Sequence, residues 1–168
     1  MKICSFDAAT GTTGVAIFEN NKYIKSYIIE TNNKIKGDEK LNQMIDLIYS
    51  ILKSEEPDIC VVEKIVVTRN AVSTRMLQEL IGAIRGYCID PIHNIKFECL
   101  APSTWRSNIV KLYNQKPNGR KREEQKAWAL DVVNNKLNIK TEDDNEADAI
   151  LIGNAYVRGG DKGNEKQE

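Results

Sequence analysis

The sequence predicts an α/β domain: a five-stranded mixed sheet with helices on both faces. Three observations carry this. The first thirty residues read as three apolar runs joined by tight polar turns, two further apolar runs each follow a stretch of helical periodicity, and the final third carries helical patterns alone. Strands joined by short turns pair antiparallel, whereas a helix crossover returns a strand parallel to its neighbour, so the two kinds of connection together give a mixed sheet. At 168 residues and 41% hydrophobic content, one domain with one adequate core is expected.

Residues 2–8 form the first strand, ended by the turn signal Gly11-Thr12-Thr13-Gly14. Residues 15–18 resume extended structure, Glu19-Asn20-Asn21-Lys22 turns the chain, and residues 23–30 complete a meander. Gly37-Asp38 opens a helix in which Leu41, Met44, Ile45, Ile48, Ile51 and Leu52 recur at helical spacing. After Pro57, the continuous apolar run up to Glu63 has the pattern of a strand buried on both faces. A second helix spans residues 73–88, with Leu77, Leu80, Ile81 and Ile84 on one face and Gly82 and Gly86 four apart. Residues 95–100 are the fifth strand. A short helix follows Ala101-Pro102, with Ser103 or Thr104 as candidate cap. Residues 114–119 are a polar break, residues 120–136 a helix, and the last helix begins near Asp144 with Ala147, Ile150, Leu151 and Ala155 facing inward. Residues 1–157 thus form the domain and 158–168 a polar tail.

Composition excludes several classes of function. No apolar stretch reaches the roughly 18–20 residues of a membrane span, and Asp7 interrupts what would be the apolar core of a signal peptide, so a cytoplasmic protein is expected. Cys4, Cys60, Cys88 and Cys99 lack CxxC spacing and read as buried, reduced thiols. His93 is the single histidine and sits in the turn after Asp90-Pro91, which argues against histidine chemistry. The 24 basic residues balance the 24 acidic ones, but unevenly along the chain. Seven basic residues lie between Arg106 and Lys126 against Glu123 and Glu124, and eight acids follow from Thr141 onward.

The acids that border apolar runs are the candidate chemistry. Asp7 and Glu63 each close a strand, and ligands of α/β sheets gather at that edge. If the two strands are parallel neighbours, they stand about 4.8 Å apart, and the two carboxylates then repel unless a hard divalent cation lies between them. Asp148, flanked by Ala147 and Ala149 on the last helix, points toward the sheet. A lone acid at a strand end or in a first helical turn is ordinarily a turn or cap residue. Three such acids together, each beside an apolar run, are better read as one site.

The segments that contain these acids resemble a known family. They are Ile3-Cys4-Ser5-Phe6-Asp7-Ala8-Ala9-Thr10-Gly11-Thr12-Thr13-Gly14, Val61-Val62-Glu63-Lys64, Arg69-Asn70, Gly82-Ala83-Ile84-Arg85-Gly86 and Glu146-Ala147-Asp148-Ala149-Ile150. In this order and spacing, over about residues 2–157, they resemble RuvC-type Holliday-junction resolvases. Trp105-Arg106-Ser107 and the 121–126 segment are closest to forms carried by bacteriophages. The resemblance implies a ribonuclease H-like fold, a homodimer, and magnesium-dependent hydrolysis of branched DNA, including four-way junctions and forks. It also implies two ions per site, with manganese able to substitute, and no small-molecule cofactor.

Carried over residue by residue, the resemblance makes Asp7, Glu63 and Asp148 metal ligands and catalytic acids. The family's fourth acid falls at Asn145, where the amide oxygen can ligate; Asp144, one turn before Asp148, is the alternative. Lys121 is the candidate basic residue at the scissile phosphate. Arg69, Asn70, Arg75, Arg106, Lys111, Lys121 and Arg122 are the candidate DNA contacts, weighed against an ordinary solvated helix face. Trp105 and Trp128 read as packing rather than base-stacking residues. Val66 stands where cellular members carry an aromatic that stacks at the crossover. The 73–88 helix, through Gly82 and Gly86, is the expected two-fold interface. Two other readings compete with this one: a non-catalytic branched-DNA-binding protein that lost cutting through Asn145, and an actin-like nucleotide-binding domain suggested by the Thr- and Gly-rich turn after Asp7.

Overall fold

The computed structural model describes residues 1–65 and 70–159. In chain order the elements are β1 (Lys2–Asp7), β2 (Thr12–Glu19), β3 (Lys22–Glu30), α1 (Gly37–Glu55), β4 (Ile59–Glu63), α2 (Ala71–Ile89), β5 (Lys96–Leu100), α3 (Pro102–Tyr113), α4 (Arg122–Asn135) and α5 (Asp144–Gly159). The sheet order is β3-β2-β1-β4-β5. The meander pairs antiparallel, while β1–β4 and β4–β5 are parallel, so the expected mixed sheet is present.

Alternation along the strands divides the core in two. Cys4, Phe6, Val15, Ile17, Cys60 and Val62 face α1 and α2, where Met44, Ile48, Leu52, Leu80 and Ile84 complete one cluster. Ile3, Ala16, Phe18, Ile59 and Val61 face the other way, toward α3, α4 and α5, and join Trp105, Ile109, Trp128, Val132 and Ile150. α5 is apolar almost all round because it lies between the sheet and the outer helices, with Ala147 and Ala149 through Ala155 buried.

Two glycines bring α5 unusually close to the sheet. A Cβ on Gly153 would lie 2.2 Å from the Phe18 ring and 2.5 Å from Ser5 Oγ. One on Gly14 would lie 1.9 Å from the backbone carbonyl of Asn145. The Ser5 hydroxyl donates to the Ala149 carbonyl at 2.8 Å, which fixes the axial position of α5 on β1.

Several boundaries differ from the sequence expectation for local reasons. α3 is capped by Ala101 with no side-chain bond and Pro102 in its first turn, so Ser103 and Thr104 lie inside the helix. α2 starts at Ala71, because the Asn70 side chain caps it by accepting from the Ser73 N–H at 3.1 Å. α5 continues to Gly159, two residues beyond the expected domain end; 160–168 lie outside the described residues. Cys4, Cys60 and Cys88 are buried free thiols, but Cys99, expected to be buried, is exposed on β5 at the sheet edge. Among the described residues no helix is long and apolar enough to cross a membrane.

Candidate active site

Strand parity and register bring the acids together. Residues 3, 5 and 7 of β1 share a face, as do residues 59, 61 and 63 of β4, and both are the face that α5 covers. The β1–β4 register pairs Phe6 with Val62, so Asp7 and Glu63 are the next residues of adjacent parallel strands. Asp148 lies one position before Ala149, whose carbonyl is bonded to Ser5, and so meets the end of β1 from above. Asp7, Glu63, Asp144, Asn145 and Asp148 line one cleft of about 200 Å³, and Arg106, Arg122, Gln125 and Lys126 form its remaining wall.

Burial, with the neighbouring acids adding to it, disfavours the charged forms of Asp7 and Asp148 in this cleft. Burial pushes the Asp7 carboxyl well above the usual carboxylate range, and the charges of Asp148, Glu63 and Asp144 push it further, against the opposing effect of Arg106. Asp148 is pushed up to about 7, chiefly by burial, with Glu63 and Asp144 adding to it while Arg106 and Lys126 oppose it. Two basic side chains pair with the remaining acids. Lys126 is ion-paired with Asp144, and the Arg106 guanidinium lies 3.7 Å from Glu63 Oε1. The same Glu63 oxygen accepts from Trp105 Nε1 at 2.7 Å.

The lining donors are carboxylate and amide oxygens, a chemistry that fits a hard divalent cation and no soft metal. Among the described residues no three acidic, histidine or cysteine side chains stand close enough together to hold a metal ion as a group. The helix start at this cleft is held by Asp143, whose Oδ1 accepts from the Asn145 and Glu146 backbone N–H groups at 2.9 and 3.0 Å. Capping, the ordinary explanation for Asp144, therefore belongs to Asp143. Glu146 turns away to Ser26 and Thr141, each 2.6 Å from one of its oxygens.

Of the sequence-predicted basic residues, the structure brings Arg106 and Arg122 to the cleft wall. Lys121 is the exposed N-cap of α4, its backbone N–H donating to Glu124 Oε2 at 2.9 Å, and is not among the lining residues. Lys111 is exposed in the last turn of α3. Arg75 is engaged on the surface with Asp38 at 3.1 Å and Glu79 at 2.8 Å, and Asn70 is the α2 cap. Arg69 and Val66 lie outside the described residues. Lys126 and Gln125, which line the cleft, and Trp105, which bonds Glu63, are not among the candidate site residues that the sequence singles out. Arg122, Gln125 and Lys126 stand at i, i+3 and i+4, the spacing of one helix face, and that spacing was a usable signal. His93 stacks on Tyr87 with ring centroids 3.8 Å apart and is not among the cleft residues.

Comparison with known proteins places this geometry in context. The family model for "Crossover junction endodeoxyribonuclease RuvC" matches residues 3–155. The chain is similar to the crossover junction endodeoxyribonuclease RuvC of Wolbachia sp. subsp. Drosophila simulans (strain wRi), with 27% identity over 164 residues, covering 95% of this chain and 96% of that one. It is also similar to the RuvC of Cupriavidus metallidurans, 32% identical over 87 residues, about half of each chain (49% and 48%). Among solved structures, T. thermophilus RuvC in complex with Holliday junction substrate superposes with a TM-score of 0.72 at 13% identity, covering 97% of this chain and 96% of that one. Fowlpox virus resolvase, solved with substrate Holliday junction DNA, gives 0.63 at 20% identity, covering 95% and 98%. At these identities the structures establish the shared fold, that of the ribonuclease H-like resolvases.

Proposed function

The chain belongs to the RuvC family of crossover junction endodeoxyribonucleases, and on that premise we propose that it cleaves Holliday junctions by phosphodiester hydrolysis, using divalent metal. The observation that carries the reading is the meeting of Asp7, Glu63 and Asp148 in one cleft from three separate elements, β1, β4 and α5. Forks and other branched DNA are included as substrates, magnesium is the working ion, manganese substitutes for it, and each site takes two ions. When bound, the ion would supply Lewis-acid chemistry for the attacking water and the leaving oxygen. Asp7, Glu63 and Asp148 would hold it, with the Asn145 amide oxygen completing the set and Asp144 withheld by its pairing with Lys126.

The chain's own residues have defined tasks in this reaction. Arg106, Arg122 and Lys126 supply positive charge beside the acids, where a backbone phosphate must approach a strongly anionic centre. Asn70, Arg75, Lys111 and Lys121, which do not line the cleft, extend phosphate contact beyond it, and Arg69 is assigned the same task from the sequence, so these residues govern affinity and its salt dependence. Symmetric incision of paired strands calls for two sites related by a two-fold axis, which we assign to a homodimer through α2.

A labelled four-way junction incubated with the wild type, Asp7→Asn and Glu63→Gln in magnesium or manganese tests the reading. Paired incisions by the wild type alone support it. Tight junction binding without cutting under either ion would instead support the non-catalytic DNA-binding alternative, which the Asn145 substitution favours.

A further inference from the structure

We infer that Trp105 is a positioning residue for Glu63, reserving one carboxylate oxygen for the protein so that the other faces the cleft; the inference rests on Glu63 being a functional acid. The Trp105 side chain is completely buried, and its only polar atom, Nε1, donates to Glu63 Oε1 at 2.7 Å. That is at the short end for N–H···O bonds, as expected when the acceptor is charged.

The donor is held rigidly. The Trp105 ring stacks on Trp128 at a centroid distance of 6.3 Å and an interplanar angle of 22°. Trp128 is in turn fixed by its own Nε1, which donates to the Gln115 carbonyl at 3.1 Å. The Arg106 guanidinium lies 4.6 Å from the Trp105 ring centre and 3.7 Å from the same Glu63 Oε1. One oxygen of Glu63 therefore has two protein partners from adjacent residues of α3. An aliphatic or phenyl side chain at 105 would fill the core equally well; the indole N–H is the part that packing alone does not require.

A carboxylate held through one oxygen keeps the other wholly free for a cation, and its orientation is set before any ion arrives. Loss of the N–H leaves Glu63 free to rotate or to pair more fully with Arg106. The expected result is weaker ion binding and slower cleavage, with junction affinity unchanged.

The test compares wild type, Trp105→Phe and Glu63→Gln. In nitrogen–proton correlation spectra the two indole signals are assigned by the one that Trp105→Phe removes. In Glu63→Gln, which presents a neutral acceptor, the Trp105 signal should move by several tenths of a ppm in the proton dimension and the Trp128 signal should not. Trp105→Phe should need at least fivefold more magnesium for half-maximal cleavage and cut about tenfold slower at low magnesium, with junction Kd in calcium unchanged and partial rescue at high magnesium. If neither indole signal moves in Glu63→Gln, the inference is overturned even where Trp105→Phe does not fold. So does a folded Trp105→Phe with the wild-type rate and magnesium requirement while Glu63→Gln is inactive. Wild-type cutting by Glu63→Gln refutes the site assignment itself, and the role of Trp105 falls with it.

Discussion

Asp148 shows how much a single side chain contributes to the electrostatics of the cleft. Its carboxyl is pushed to about 7 from an ordinary value of 3.8, chiefly by burial. In chelator, the unfolded chain releases this proton near pH 4 while the folded protein keeps it until about 7. The unfolded state binds fewer protons across that window, so stability falls as pH rises through it and levels off above. Asp148→Asn removes the penalty. It should raise stability at pH 8 by on the order of 2–4 kcal/mol, or roughly 5–10 °C in Tm, with the gain gone at pH 4. Thermal unfolding of both proteins at the two pH values checks this, and a gain independent of pH would contradict it. In the same cleft, Asn145→Ala should raise the magnesium requirement and Asn145→Asp should lower it, read from cleavage rate against magnesium concentration. Asp144→Asn should leave cleavage nearly unchanged. The three principal acids were legible because each borders an apolar run. The cations were less so: Lys121 and Lys126 lie in the same basic segment, and only the placement of α4 against α5 decides which reaches the cleft. The bond from Trp105 to Glu63 joins residues 42 apart in sequence, and no local pattern encodes it.

At the scale of elements, the position of α5 governs the site, and that position depends on Gly14. Gly14 pairs with Asp7 in the β1–β2 register, and its missing Cβ lets the first turn of α5 rest on β2. Gly14→Ala would set a methyl 1.9 Å from a backbone carbonyl, which a side-chain rotation cannot relieve. The helix must move outward, carrying Asn145 and Asp148 away from Asp7. Cleavage should fall at least a hundredfold, and stability by about 1–3 kcal/mol. Junction-cutting rates and denaturant unfolding measure the two effects; a variant with the wild-type rate would show that close helix approach is not required. The strand and helix order was readable from periodicity, since both cores obey a simple alternation. Nothing in the sequence around Gly14 shows its close approach to α5, because that role needs a contact with Asn145, far along the chain.

For the whole molecule, the expected two-fold interface makes its own prediction. Gly82 and Gly86 lie on the outer face of α2, and a Cβ at either would meet nothing within 4 Å in this chain. Val72 and Ile89 at the ends of the same helix are 62% and 61% exposed. In an isolated chain, Gly82→Ala should stabilise the helix by about 0.5–1 kcal/mol. In a dimer packed closely through this face it should weaken association instead. Sedimentation should give twice 19.0 kDa for the wild type, a lower mass for a Gly82→Ala, Gly86→Arg double variant, and single nicks in place of paired cuts. A wild-type monomer, free and junction-bound, would remove the α2 interface.

The ion pairs of the cleft also bear on how the protein behaves when deprived of metal. Lys126 and Arg106 meet Asp144 and Glu63 from within the fold, and burial raises the carboxyls of Asp7 and Asp148 above their ordinary range, which disfavours their charged forms. The centre thus carries internal counter-ions, and folding has no need to recruit one from solution. Chelation should act as a reversible off-switch rather than a denaturant: dialysis against chelator silences cutting, the circular dichroism spectrum stays as it was, and returning magnesium restores activity within the time of mixing.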